Sequence, residues 1–237
     1  MKDKLYVAEI FGPTIQGEGH MAGKKVMFIR FAGCDYKCSW CDSASTHTIT
    51  EDTLRMSVHD IFERCSQPHT NDIVITGGNP AIQNLGFLIY MLKHRGFTIH
   101  LETQGSFKPP WLAEVDHLIV SPKPPSSGMD KAPVNIQDDV VRLYDLNKNM
   151  IVKIPIFNEK DYVWAEEVYD RVIDLQIPFY LSVGNSNIYP TDNIEMVRDK
   201  ILERYVWLCG KVLNGAMKDV FVLPQLHVLL WGNKQGV

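Results

Sequence analysis

The chain alternates between short runs of strand-forming residues and stretches whose apolar positions recur at helical spacing. That alternation predicts a parallel sheet with crossover helices. Leu5–Ile10 reads as a first strand, followed by a glycine-punctuated loop, Gly12 to Gly19. Lys25–Phe31 is a strong β run that leads directly into a cysteine-bearing loop. Ser57 reads as the N-cap of a helix through Cys65, and Asp72–Thr76 as a buried strand entering Gly77-Gly78-Asn79-Pro80. A helix over Asn84–Arg95 places Leu85, Leu88, Ile89 and Leu92 on one face and stops at Gly96. Strands are then expected at Phe97–Glu102 and at His117–Val120, the latter opening onto a proline-rich loop, Ser121 to Gly128. The unit repeats with a strand over Ile151–Ile156, an amphipathic helix over Asp161–Ile173 and a strand over Phe179–Val183. A last helix is expected to end near Gly210, with a short strand at Phe221–Leu223 before the tail Pro224–Val237. No internal repeat or linker interrupts the pattern, so one domain over residues 1–237 is expected.

Length and composition narrow the class. At 237 residues and 45% hydrophobic, the chain can bury a sizeable core but is shorter than a typical eight-fold barrel. A net charge of −4 gives no electrostatic case for a nucleic-acid partner. No apolar stretch approaches bilayer length and the N-terminus does not read as a signal peptide, so a cytoplasmic protein with reduced thiols is expected. Cys65 and Cys209 lie in apolar helical patterns and read as packing residues.

Cys34, Cys38 and Cys41 are different. They stand at C-x3-C-x2-C spacing on one short loop, with no fourth cysteine nearby. Three thiolates can hold three irons of a four-iron cluster and leave the fourth iron open to a non-protein ligand. A structural zinc site is the alternative; it needs four ligands, and His47 stands six residues after Cys41 as a candidate. Five cysteines cannot all pair, so a disulfide framework does not fit.

Other loops carry polar groups at the ends of successive strands. Gln16, Glu18, Arg30, Thr76 and Glu102, with His227 in the tail, form a set suited to a flat nitrogen heterocycle. Carboxylates accept ring and amino N–H groups, and Arg30 can fork onto a carboxylate. Gly77-Gly78 reads either as a tight turn or as bare backbone that lets a ligand approach closely.

The cysteine spacing, with Trp40 before the third cysteine, resembles the signature of radical S-adenosylmethionine enzymes. Six stretches in order resemble one family within that superfamily, 7-carboxy-7-deazaguanine synthase. They are residues 12–19, 32–43, 77–80, 102–105, 121–126 and Pro224-Gln225-Leu226-His227 with its Trp-Gly-Asn-Lys continuation. The resemblance implies a modified, incomplete (β/α) TIM-like barrel and a homodimer. It also implies a lyase that converts 6-carboxy-5,6,7,8-tetrahydropterin to 7-carboxy-7-deazaguanine with loss of ammonia, for queuosine-type deazapurines. The cofactors implied are a [4Fe-4S] cluster, S-adenosylmethionine and Mg²⁺, with an electron donor such as flavodoxin or ferredoxin. Residue by residue, it assigns Cys34, Cys38 and Cys41 to the cluster. Trp40, Cys41, Asp42, Gly78, Ser121, Pro122, Lys123 and Pro124 fall to the cofactor, and Ser43 to Mg²⁺. Ile15, Gln16, Gly17, Glu18, Arg30, Thr76, Glu102 and His227 fall to the pterin, together with Val237, whose terminal carboxylate is expected to meet the aminopyrimidine edge. One departure stands out: Asn79 replaces the acidic residue usual in the Gly-Gly-Glu-Pro motif, so a hydrogen bond accepted by its neutral carbonyl is expected to replace an ion pair with the cofactor's ammonium. Two other functions remain to be weighed, a glycyl-radical activating enzyme and a zinc-stabilised, non-enzymatic binding module.

Overall fold

A computed structural model describes residues 4–66, 70–129, 133–189, 191–234 and 236. Nine strands form one sheet. They are β1 (Leu5–Ile15), β2 (Lys25–Phe31), β3 (Leu54–Met56), β4 (Asp72–Gly77), β5 (Thr98–Thr103), β6 (His117–Val120), β7 (Met150–Ile156), β8 (Phe179–Val183) and β9 (Val220–Leu223). Their order is β3-β1-β2-β4-β5-β6-β7-β8-β9. From β2 to β9 every neighbour is parallel, whereas β1 runs antiparallel to β2, and β3 antiparallel to β1. Helices α1 (Val58–Cys65), α2 (Gly86–His94), α3 (Pro133–Leu146), α4 (Glu159–Val172), α5 (Ile194–Asn214) and α6 (Leu226–Trp231) complete the chain.

The sheet has two apolar faces, which is why its strands are near-continuous hydrophobic runs. Outward-facing residues such as Ile29, Ile73, Ile75, Ile99, Leu101, Leu118, Val152, Ile154 and Leu181 are buried under the helices in the main core. The opposite face carries two smaller clusters, Met21–Val26–Val74 and Ile119–Ile151–Tyr180. Polar side chains from distant strands also meet on that inner face: Lys153 of β7 reaches both Glu102 of β5 and Glu18, just beyond β1. The sheet therefore wraps around its inner face as an incomplete barrel.

Local sequence explains most boundaries. Ser57 and Asp60 make a reciprocal capping box at α1, with Ser57 Oγ accepting from Asp60 N at 3.1 Å. Leu85, Leu88, Ile89 and Leu92 of the α2 region are fully buried, as their spacing predicts. Cys65 is buried in the main core and Cys209 half-buried, and no disulfide forms among the described residues.

Several expectations are corrected. The first strand does not end at Ile10. It continues to Ile15 because Thr14 and Ile15 still pair with Val26 and Lys25 beyond the register shift at Gly12-Pro13. The helix α5 passes through Gly210 and closes at Gly215, since open space surrounds Gly210 and nothing there interrupts the backbone ladder. Among the strands and α-helices of the described residues, three were not foreseen: β3, whose three residues are a strand only by pairing with β1, and the helices α3 and α6. No described helix is long and apolar enough to cross a membrane.

Candidate active site

The C-terminal ends of the parallel strands surround a cavity of about 240 Å³. In parallel barrels this is the end where loops carry chemistry. The strand β2 delivers the cysteine loop there, and Cys34, Cys38 and Cys41 all line the cavity. That loop is pinned from two sides. Gly33 N and Cys34 N donate to Thr46 O and His47 O, while Ser39 N donates to Ser127 O at 3.0 Å. Trp40 Nε1 donates to Ser126 Oγ at 3.0 Å, and its ring stacks on Phe157 with centroids 4.4 Å apart. The Ser121–Gly128 loop thus acts as a brace for the cysteines.

Glycine is required where the next loop passes. A Cβ on Gly77 would lie 2.1 Å from Phe31 O, and one on Gly78 2.2 Å from Gly33 O. The backbone here approaches the cysteine loop closely, and Gly78 lines the cavity. The following Asn79 corrects an expectation. It is fully buried and does not line the cavity. Its Oδ1 accepts from Thr103 Oγ1 at 2.8 Å and from Ala81 N, while its Nδ2 donates to Asp35 Oδ1 and Ser106 Oγ. All of its hydrogen-bonding capacity is spent on fixing the loops, so its carbonyl is not offered to a cofactor.

Opposite the sulfurs lies a charged floor. Lys153 Nζ sits 2.7 Å from Glu102 Oε1 and is also hydrogen-bonded to Glu18 Oε2. Gln225 Nε2 donates to Glu18 Oε1. Burial alone would raise the Glu18 carboxyl pKa, but Lys153 and then His227 outweigh it and hold the group down to about 2. Burial likewise works against the Lys153 cation, and the two carboxylates reverse it, raising its pKa above the ordinary lysine value. Glu18 and Lys153 are both charged across the neutral range.

The remaining wall is aromatic and amide-rich. Phe11 and Phe28 stack at 5.0 Å with planes 6° apart, and Arg30 lies over Phe11 while pairing with Glu9 at 2.9 Å. The tail closes the cavity. Leu226 N donates to Gly17 O, and a Cβ on Gly17 would lie 2.1 Å from His227 Nδ1, so only glycine lets α6 dock here. Two buried polar atoms in this lining, Ser182 Oγ and Gln225 Oε1, have no hydrogen-bond partner among the described residues.

Of the residues singled out in the sequence, the cavity gathers Ile15, Gln16, Gly17, Glu18, Arg30, Trp40, Asp42, Ser43, Thr76, Gly78, Glu102, Ser121, Lys123 and His227 besides the cysteines. Pro122 and Pro124 are buried and stand outside the lining. Val237 lies outside the described residues, although Gly236 borders the cavity. Sequence reasoning missed Lys153, Gln225, Ser182 and Phe157. A lysine inside the apolar run Met-Ile-Val-Lys-Ile-Pro-Ile was the available signal for the first.

The donor set suits iron. Three sulfurs face one open cavity, and Tyr36 N and Gln104 Nε2 point at Cys34 Sγ as N–H donors do toward cluster thiolates. Without metal, burial and then Asp42 push the Cys41 thiol up to about 11, so loading releases protons. His47 Nε2 lies 3.1 Å from Cys41 Sγ, the proximity that a zinc site would need. Comparison decides between the two. Residues 15–102 match the family model of a 4Fe-4S single cluster domain.

The 7-carboxy-7-deazaguanine synthase of Bacillus cereus is 42% identical over 241 residues, covering 99% of each chain. This chain belongs to the 7-carboxy-7-deazaguanine synthase family. The Bacillus subtilis member is also 42% identical, over the full length of both chains. Among solved structures, QueE from Escherichia coli superposes with a TM-score of 0.63 at 21% identity, covering 94% of each chain. Streptococcus suis SuiB bound to S-adenosylmethionine has a TM-score of 0.54 at 14% identity, over 83% of this chain and 49% of its own. Both support the incomplete-barrel fold of the family member described here.

Proposed function

We propose that this chain is a radical S-adenosylmethionine lyase that converts 6-carboxy-5,6,7,8-tetrahydropterin to 7-carboxy-7-deazaguanine, releasing ammonia. The observation that carries this reading is a single cavity with three cysteine sulfurs on one wall and the Glu18–Lys153–Glu102 floor with unpartnered amide and hydroxyl groups on the other. The first wall suits a one-electron cofactor, and the second suits a small polar heterocycle. Its full-length relatives carry the same activity in their names.

Cys34, Cys38 and Cys41 would hold the [4Fe-4S] cluster, with Trp40, Asp42, Gly78, Ser121 and Lys123 about S-adenosylmethionine. The cluster and S-adenosylmethionine supply hydrogen-atom abstraction when bound. The chain's own residues then bind and orient. Glu18 and Glu102 offer carboxylate oxygens to the N–H groups of the pterin, and Lys153 holds both in place by its ion pairs. Gln225 Oε1 and Ser182 Oγ can each take one further bond, and Phe11 and Phe28 give an apolar border beside Arg30. Ser43 Oγ and Asp42 Oδ1, 2.9 Å apart on the cavity wall, are hard oxygen donors of the kind Mg²⁺ takes.

Two finer points belong to the same proposal. The electron comes from a small redox protein of the flavodoxin or ferredoxin class. The chain works as a homodimer, for which the exposed apolar stripe Leu202, Val206 and Leu213 on α5 offers a surface.

Anaerobic purification with iron and sulfide assay, followed by turnover of the carboxypterin, tests the reading. About four irons per chain and release of ammonia with the deazapurine are expected. Cys38→Ala should lose cofactor cleavage, while Cys65→Ala and Cys209→Ala should retain it. A colourless zinc protein, or full turnover by Cys38→Ala, would overturn it.

A further inference from the structure

At the other end of the barrel, beneath the charged floor, three imidazoles converge. His20 lies in the 3-10 turn just after Glu18, His100 on β5 and His117 on β6. His100 and His117 are register partners with rings stacked at 4.8 Å, and the His20 ring lies 5.2 Å from His100 and 5.1 Å from His117. One nitrogen from each of the three lies within 4.8 Å of the other two. His100 is buried, while His20 and His117 are only partly covered, so the cluster is open from the barrel base.

The hydrogen bonds fix which nitrogen of His100 is bare. Its Nε2 lies 3.0 Å from Asp72 Oδ1, a carboxylate also held by Lys24 at 2.7 Å. An ionised carboxylate only accepts, so His100 donates from Nε2 and carries its lone pair on Nδ1. That Nδ1 faces His20 Nε2 at 3.2 Å. A carboxylate behind a histidine is the usual support of a metal-binding imidazole, since it sets the tautomer and raises the ligand's basicity. Two nitrogens about 2.0–2.1 Å from one tetrahedral ion lie roughly 3.4 Å apart. The His20–His100 pair is already at that spacing, and His117 needs only a side-chain adjustment to join it.

We propose that His20, His100 and His117 form a second metal site, for a divalent ion of the zinc class, separate from the cysteine loop. Three imidazoles are borderline donors that suit zinc and disfavour Mg²⁺. Burial, with the neighbouring imidazoles, holds His20 down to about 4, and burial also lowers His100, so both are neutral at pH 7 as ligation requires. The fourth position is left to water. An ion here would tie the turn bearing His20, two residues after Glu18, to β5 and β6. The ligand set would thus anchor the pocket floor from below.

The test uses the anaerobically purified, cluster-loaded protein, incubated with ZnCl₂ and desalted. About one zinc per chain should remain, with zinc-edge X-ray absorption showing nitrogen or oxygen neighbours at about 2.0–2.1 Å and no sulfur. His117→Gln should lose that zinc while keeping its iron, and Asp72→Asn should weaken zinc binding about 10–100-fold. Zinc should raise the melting temperature of the parent protein and leave that of His117→Gln unchanged. Failure of the parent protein to retain zinc, sulfur neighbours at about 2.3 Å, or equal retention by His117→Gln would each overturn the proposal. The absorption spectrum of the parent decides the matter even if a variant does not fold.

Discussion

Lys153 Nζ lies 2.7 Å from Glu102 Oε1 on the inner face of the sheet, and the lysine side chain is only 5% exposed. A second carboxylate, Glu18, holds the same ammonium. Removing the cation would leave two half-buried carboxylates facing each other on the inner face of the sheet. Lys153→Met is therefore expected to destabilise the protein by about 3–5 kcal/mol, the usual cost of orphaning a buried charge. Urea unfolding of the cluster-free protein measures it. A loss under about 1 kcal/mol would mean that water or ions replace the lysine freely.

Glu18 gives that floor an acid limit. Its folded-state value of about 2 lies below the ordinary 4.5, so its ion pair stabilises the fold fully above pH 4.5. That contribution is lost as pH falls from about 4.5 toward 2, and it amounts to about 3 kcal/mol. In Glu18→Gln the slope of stability against pH should flatten across that window. An identical acid limb in the variant would place the titration on other carboxylates.

Ser43 tests the magnesium assignment. With its hydroxyl on the cavity wall 2.9 Å from Asp42 Oδ1, it can contribute one of the hard oxygen ligands. Ser43→Ala should lower turnover and raise the Mg²⁺ concentration needed for half-maximal rate, with iron content unchanged. A superimposable Mg²⁺ titration would remove Ser43 from the metal's ligands.

Gly17 tests the tail. Any Cβ there meets the His227 ring and backbone, so Gly17→Ala must push α6 off the Gln16–Glu18 segment. A stability loss of about 1–3 kcal/mol is expected from the overlap. The Michaelis constant for the pterin should rise at least about tenfold, equivalent to roughly 1.4 kcal/mol of binding. Cofactor cleavage without substrate should be unaffected, because the cysteine loop lies on the opposite wall. An unchanged Michaelis constant would make the tail a structural closure only.

The parts of the molecule that could be read from sequence are those governed by local pattern. The run Lys25–Phe31 and the buried face of α2 appear where alternation and helical spacing put them, and Ser57 caps α1. The cysteine spacing likewise announced one wall of the cavity. What escaped depends on partners far away in the chain. Three residues from Leu54 are a strand only because β1 lies beside them. Lys153 reads as a charge in an apolar strand until the curled sheet brings it to Glu18 and Glu102. Asn79 occupies a position that the motif would give to a ligand contact, yet Thr103, Ala81, Asp35 and Ser106 use all of it. The histidine cluster was invisible for the same reason, since its members lie on three separate elements.

The hydrogen bond from Gln225 to Glu18 spans 207 positions of chain. A ribosome adding about 5–20 residues per second makes these two groups roughly ten to forty seconds apart. Throughout that interval the emerging protein can pair its early strands, but Glu18 has neither Gln225 nor His227 beside it. The cysteine loop is synthesised early, and the tail that closes the substrate pocket comes last. Maturation therefore has an order: a nascent chain can present its thiols for iron before it has a place to bind a pterin.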